Sequence, residues 1–133
     1  MPMAEIYHLA LHKDWLAAIE SAGIYYPPTF KQDGMTHAAP DTETLIKVAN
    51  QFYRGVQGRW CFLAISIARL NRAGIDVRFE PAAAVGDRED HFAGSEALMF
   101  PHIYGGIPEQ AVVYIGSVEQ DRGGVFLSLP SRE

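Results

Sequence analysis

Apolar and polar positions alternate along Glu5-Ile6-Tyr7-His8-Leu9, which predicts a short first strand with Ile6 and His8 on one face. From His12 to Ala22 the period lengthens, with Trp15, Leu16 and Ile19 at helical spacing and Gly23 placed for a left-handed C-terminal cap. Pro27-Pro28 and the turn residues Gln32-Asp33-Gly34 predict an irregular loop over 24–34, ending at Met35-Thr36-His37. A second helix is predicted from a cap at Asp41 or Thr42, because Leu45, Val48, Ala49, Phe52 and Tyr53 form one stripe before Gly55. Trp60 to Ile67 (WCFLAISI) is almost wholly apolar, as a central strand covered on both faces would be. Asp76-Val77-Arg78-Phe79-Glu80 alternates again, which predicts a half-exposed strand with Val77 and Phe79 toward the core and Glu80 on the opposite face.

Residues 81–98 (PAAAVGDREDHFAGSEAL) show no period and are longer than a compact domain carries without a use, so they read as a mobile lid or an insertion. Phe100-Pro101-His102-Ile103-Tyr104, followed by Gly105-Gly106 and Ile107-Pro108, is the densest unusual cluster. Ala111 to Val118 and Val125 to Leu129 read as two strands of a C-terminal hairpin over 111–129, joined across Asp121-Arg122-Gly123-Gly124. This order gives an α+β class, with two helices packed on a largely antiparallel sheet in a single domain spanning 1–133.

Composition narrows the function. The 133 residues are 48% hydrophobic and 20% charged, enough for one soluble domain with its own core. Eleven basic against sixteen acidic side chains leave a net charge of −5, the wrong sign for binding that depends on neutralising phosphates, so nucleic acid is not an expected partner. No stretch has the length of a membrane span and the N-terminus lacks signal-peptide character, so no membrane association and a cytoplasmic location are expected. The lone Cys61 points to a reducing compartment and, within the apolar run, to a small buried hydrophobe.

The candidate chemistry lies in histidines. His8, His37 and His102 each fall at or beside a predicted strand end, and a neutral imidazole donates through one nitrogen while accepting through the other. They are tens of residues apart with no HxH or HExxH pair, so no metal site is expected. Nucleophile elbows, phosphate-binding loops and dinucleotide fingerprints are missing as well. Glu80, ending an alternating strand, is the carboxylate placed to take part in catalysis.

Five blocks carry a family resemblance: IYHLALHKDWLAAIESAGIY, DGMTHAA, QFYRG, VRFEP and FPHIYGGIPEQAVV. Over about residues 5–115 they resemble the family called domain of unknown function 952, whose fold resembles the ADP-ribosyltransferase superfamily. That resemblance implies a split, mostly antiparallel sheet that binds NAD in its cleft. Tyr7-His8-Leu9-Ala10 and Thr36-His37-Ala38-Ala39 also look similar to segments of the RNA 2'-phosphotransferases of that superfamily. By this match His8 contacts the nicotinamide-side ribose and His37 lines the cleft. Asp33 stands where those enzymes carry an arginine, and no arginine precedes His8, so RNA phosphate transfer is not implied. The expected function is an NAD- or nucleotide-like ligand held by His8, His37, Tyr53, His102 and Tyr104, with Glu80 as the carboxylate for ADP-ribosyl or glycosidic-bond chemistry; the alternative is a non-catalytic binding module.

The acidic balance predicts only weak, nonspecific binding of RNA and DNA at physiological salt. A nanomolar, steeply salt-dependent affinity in a filter-binding titration would overturn this.

Overall fold

The computed structural model describes residues 4–86, 94–95 and 98–129. Its elements run β1 (Glu5–Leu11), α1 (His12–Ser21), β2 (Ile24–Tyr25), α2 (Phe30–Asp33), β3 (Thr36–His37), α3 (Thr42–Phe52), β4 (Trp60–Ser66), α4 (Ile67–Arg72), β5 (Asp76–Pro81), β6 (Met99–Tyr104), β7 (Ile107–Pro108) and β8 (Val112–Val118). The strands form three small antiparallel sheets, ordered β1-β4-β8, β2-β7 and β3-β6-β5. The class is therefore α+β with mostly antiparallel pairing.

Strand β4 organises the core because both of its faces are covered, and every one of its residues is buried. Its period of two sends Cys61, Leu63 and Ile65 into one cluster with Ile6, Trp15, Leu70 and Ile103. Trp60, Phe62 and Ala64 enter a second cluster with Leu9, Leu45, Ala49 and Phe126. Each large apolar side chain so buried contributes about 1.5–3 kcal/mol. Cys61 is a free buried thiol, and burial pushes its pKa up to about 11, which leaves it unreactive at neutral pH.

The two three-stranded sheets meet at a seam. Tyr7 and Ala39 exchange backbone hydrogen bonds of 2.9 and 2.8 Å, and the Ala38 amide donates to the Pro101 carbonyl at 3.1 Å. Residues 38–39 are thus held by β1 on one side and β6 on the other. An antiparallel ladder continued from Tyr7 and Ala39 would bring Leu9 opposite His37. No backbone bond forms there, and the sheets part.

Several expectations need correction. Among the described residues there are four α-helices where two were expected. The segment 24–34 holds β2 and α2, because Pro27-Pro28 separates these short elements without forbidding either, and Gly34 caps α2 at φ +73°. The apolar run turns helical at Ile67, since the Ser66 hydroxyl accepts the Arg69 amide at 3.2 Å as an N-cap and starts α4. Phe79 is 48% exposed: Val77 packs against the cluster holding Leu70, whereas Phe79, next along the same face, lies beyond it. Residues 125–129 form no strand, and only Gln120 and Phe126 bridge after β8. Strand β1 extends to Leu11. The α3 stripe appears as expected, with Asp41 Oδ1 accepting the Thr44 amide at 2.7 Å. Half of the segment expected to be a lid or an insertion, residues 87–93 and 96–97, lies outside the described residues.

Gly124 adopts φ +86°, and a Cβ there would stand 2.1 Å from the Arg54 carbonyl oxygen. Gly124→Ala should therefore cost about 2 kcal/mol or more, combining a left-handed backbone with a clash against backbone. Urea unfolding would measure it, and a change under half a kcal/mol would show that the turn relaxes freely.

Candidate functional site

Where the sheets part, a cavity of about 140 Å³ opens beside the seam. Leu45, Val48 and Phe52 of α3 form part of its apolar wall, and Trp60 and Phe100 are also at its surface. Its polar residues come from places far apart in sequence: His8 on β1, Asp14 on α1, Tyr25 on β2, His37 on β3, Tyr53 after α3 and His102 on β6, with Thr29 and Ser95 also at the surface.

The His8 side chain occupies the position where the ladder fails. Its Nδ1–H donates to the His37 carbonyl at 2.6 Å, substituting for the absent backbone rung. That bond fixes the tautomer, so Nε2 carries the lone pair. Nε2 is buried and has no hydrogen-bond partner. Burial lowers the His8 pKa to about 4, outweighing the opposing bond to His37, so the ring is neutral at physiological pH.

His37 and His102 are paired across β3 and β6, with their rings edge to face at 5.4 Å. Each is held by a carboxylate. His37 Nε2–H donates to Asp33 Oδ2 at 2.8 Å, and both Asp33 oxygens lie 3.1 Å from the Gly86 amide. Burial lowers the His37 pKa, with the Asp33 bond and charge opposing it. His102 Nδ1–H donates to Glu80 Oε1 at 2.8 Å, and the Tyr104 hydroxyl donates to the same oxygen. Those two bonds hold the Glu80 carboxyl below the usual range, and the Tyr104 phenol is raised by the same contact. Arg78 lies 4.9 Å over the Tyr104 ring at the solvent side.

Of the residues singled out from sequence, His8, His37, Tyr53 and His102 are at the cavity surface. Glu80 and Tyr104 are not among the lining residues and connect to the cavity through His102. Sequence reasoning missed Asp14, Tyr25 and Asp33. Asp33 had a signal, its spacing of four from His37, hidden because turn chemistry already explained it. Asp14 had none, since an acid in the first turn of a helix is accounted for by the helix dipole.

Chemically the site is rich in acceptors. His8 donates through Nδ1, which leaves its Nε2 as an acceptor, and His102 donates through Nδ1 to Glu80. Among the described residues, no group of three His, Cys, Asp or Glu is arranged to hold a metal ion. No described helix is long and apolar enough to cross a membrane.

Residues 10–115 match the model of a family described as a protein of unknown function, DUF952. The chain belongs to the DUF952 family. Solved structures share the fold of this DUF952 protein. The crystal structure of protein CC0527 from Caulobacter crescentus is 22% identical, with a TM-score of 0.71 over 92% of this chain and 93% of that one. A double mutant of CC0527, also solved by crystallography, gives the same values. The solution NMR structure of CC0527 is 23% identical, with a TM-score of 0.63 over 92% and 91% of the two chains. No curated protein matches this one.

The low pKa of His8 has a thermodynamic consequence. Below pH 6.5 the unfolded chain binds a proton at His8 that the folded chain refuses until about pH 4, so stability falls as pH falls through that window. His8 alone should remove about 3 kcal/mol between pH 7.5 and pH 4. Urea unfolding of the native protein and of His8→Phe at several pH values would show the smaller pH dependence in the variant. Parallel curves would mean that His8 is not buried in neutral form.

Proposed function

We propose that this DUF952 protein binds an NAD- or nucleotide-like small molecule, seating one ring in the cavity and setting a ligand hydroxyl on His8 Nε2. The observation that carries this reading is the unpartnered buried Nε2 of a residue lining the cavity. Leaving such an acceptor unsatisfied costs about 1–3 kcal/mol, which a donor on a ligand recovers. The volume fits one ring: cavities of about 150 Å³ admit benzene. The apolar wall covers the ring's faces while the histidines fix its orientation.

The kind of ligand is suggested by the resemblance of Tyr7-His8 and Thr36-His37 to the ADP-ribosyltransferase-like superfamily. A sheet that parts between β1 and β3 agrees with a split-sheet arrangement of that kind. In the catalytic form of this reading, the bond between the ribose C1' and the nicotinamide nitrogen breaks. Nicotinamide leaves with the bonding electrons, and water or another acceptor adds to C1' and gives up a proton. In this form of the reading His102 Nε2 takes that proton, and Glu80 acts through it as a positioning residue, which its bond to His102 Nδ1 supports. A second reading, a binding module without turnover, is favoured by one observation. Glu80 is bonded to Tyr104 and His102 and is not at the cavity surface, so it does not face a developing positive charge directly.

Titration calorimetry with NAD, ADP-ribose and nicotinamide, joined to chromatography for released nicotinamide, tests the proposal. Binding should weaken about two- to twelvefold in His8→Phe, the loss expected for one neutral hydrogen bond. Nicotinamide release identifies an enzyme, and binding without product identifies the module. If none of the three binds at millimolar concentration, the cavity does not serve this class of ligand.

A further inference from the structure

The polar groups of the cavity define the charge of what it can hold. His8 Nε2 is a buried lone pair without a donor, and the Asp14 carboxylate lines the same space. The two acceptors share a neighbour. The His8 and Tyr25 rings are 5.8 Å apart, and the charge of Asp14 acts on the Tyr25 hydroxyl, helping burial to raise its pKa. His37 is also neutral and already donates to Asp33. No Lys or Arg is among the described residues lining the cavity. An anion entering this space would lose its hydration, meet a carboxylate and find no lysine or arginine among the described lining residues. A donor-bearing ring, neutral or positively charged, would meet acceptors.

Resting on the ligand class proposed above, we infer that the cavity selects a neutral or cationic nucleoside-type group and excludes phosphate, so that its ligand is recognised at the unphosphorylated end. The ribose hydroxyls or a carboxamide amine supply the donors for His8 Nε2 and Asp14. A pyridinium ring, as in a nicotinamide riboside, adds a positive charge that Asp14 favours. The 5'-phosphate of any larger ligand lies outside the cavity and contributes no affinity there.

Paired ligands that differ only in a 5'-phosphate test this on the full chain: nicotinamide riboside against nicotinamide mononucleotide, and adenosine against adenosine monophosphate. By calorimetry at pH 7.5, the riboside of the better-bound pair should bind at least about threefold more tightly than its phosphate, as like-charge repulsion by Asp14 requires. Asp14→Asn should shrink that preference by relieving the repulsion of the phosphorylated member, with a thermal melt confirming that the variant is folded. Should that variant fail to fold, the native comparison decides alone. Equal or tighter binding of the phosphorylated member, or an unchanged preference in folded Asp14→Asn, overturns the inference while leaving nucleotide binding in place. If all four compounds fail to bind, the ligand class itself falls, and the selectivity falls with it.

Discussion

One backbone carbonyl, that of His37, sets the terms for the rest of the site. Residue 37 lies where an antiparallel ladder from Tyr7 and Ala39 would have placed its next rung, and a buried carbonyl needs a donor. The donor is a side chain, His8 Nδ1, at 2.6 Å. A side chain reaches farther than a backbone amide, so the strands need not stay at sheet spacing, and space opens between them. The same bond commits the His8 proton to Nδ1 and leaves a buried lone pair on the other nitrogen. Sheet geometry, cavity and electrostatics therefore have one origin.

The two carboxylate–histidine pairs differ in exposure. Asp33 is 5% exposed in its side chain, where Gly86 and His37 satisfy it, while Glu80 is 34% exposed and shared with Tyr104. A connected set of polar contacts thus runs inward from Arg78 and Tyr104 through Glu80 to His102, whose ring meets His37 edge to face.

How much of this was legible depended on whether local pattern or distant packing decided each element. β4 and α3 were readable because an unbroken apolar run and an i, i+3, i+4 stripe report burial directly. α4 was hidden because Ile67 continues the apolar run and the decisive signal is a single serine cap. Phe79 was misread because alternation gives the face of a side chain but not how far the covering element extends. The three histidines could be singled out as residues that burial did not explain, and the family resemblance tied His8 to His37. Their convergence could not be derived from the chain, since the failed rung at Leu9 and His37 is a property of two sheets meeting. Asp14 and Tyr25 became visible only once β1, α1 and β2 were assembled around the same space.

Gly86 gives the cavity a mechanical character. Its amide lies on Asp33 with φ at +59°, and a Cβ there would press on Thr29 at 3.1 Å. The preceding residues Ala82, Ala83 and Val85 line the cavity, so the carboxylate that steadies the His37 ring also latches this stretch in place. The outline of the pocket and the basicity of one of its histidines are consequently coupled variables. The imidazole and the latch draw on the same carboxylate, so strain at one is felt by the other. A change at position 33 cannot alter one without the other, so the shape and the acidity of this pocket are inherited together.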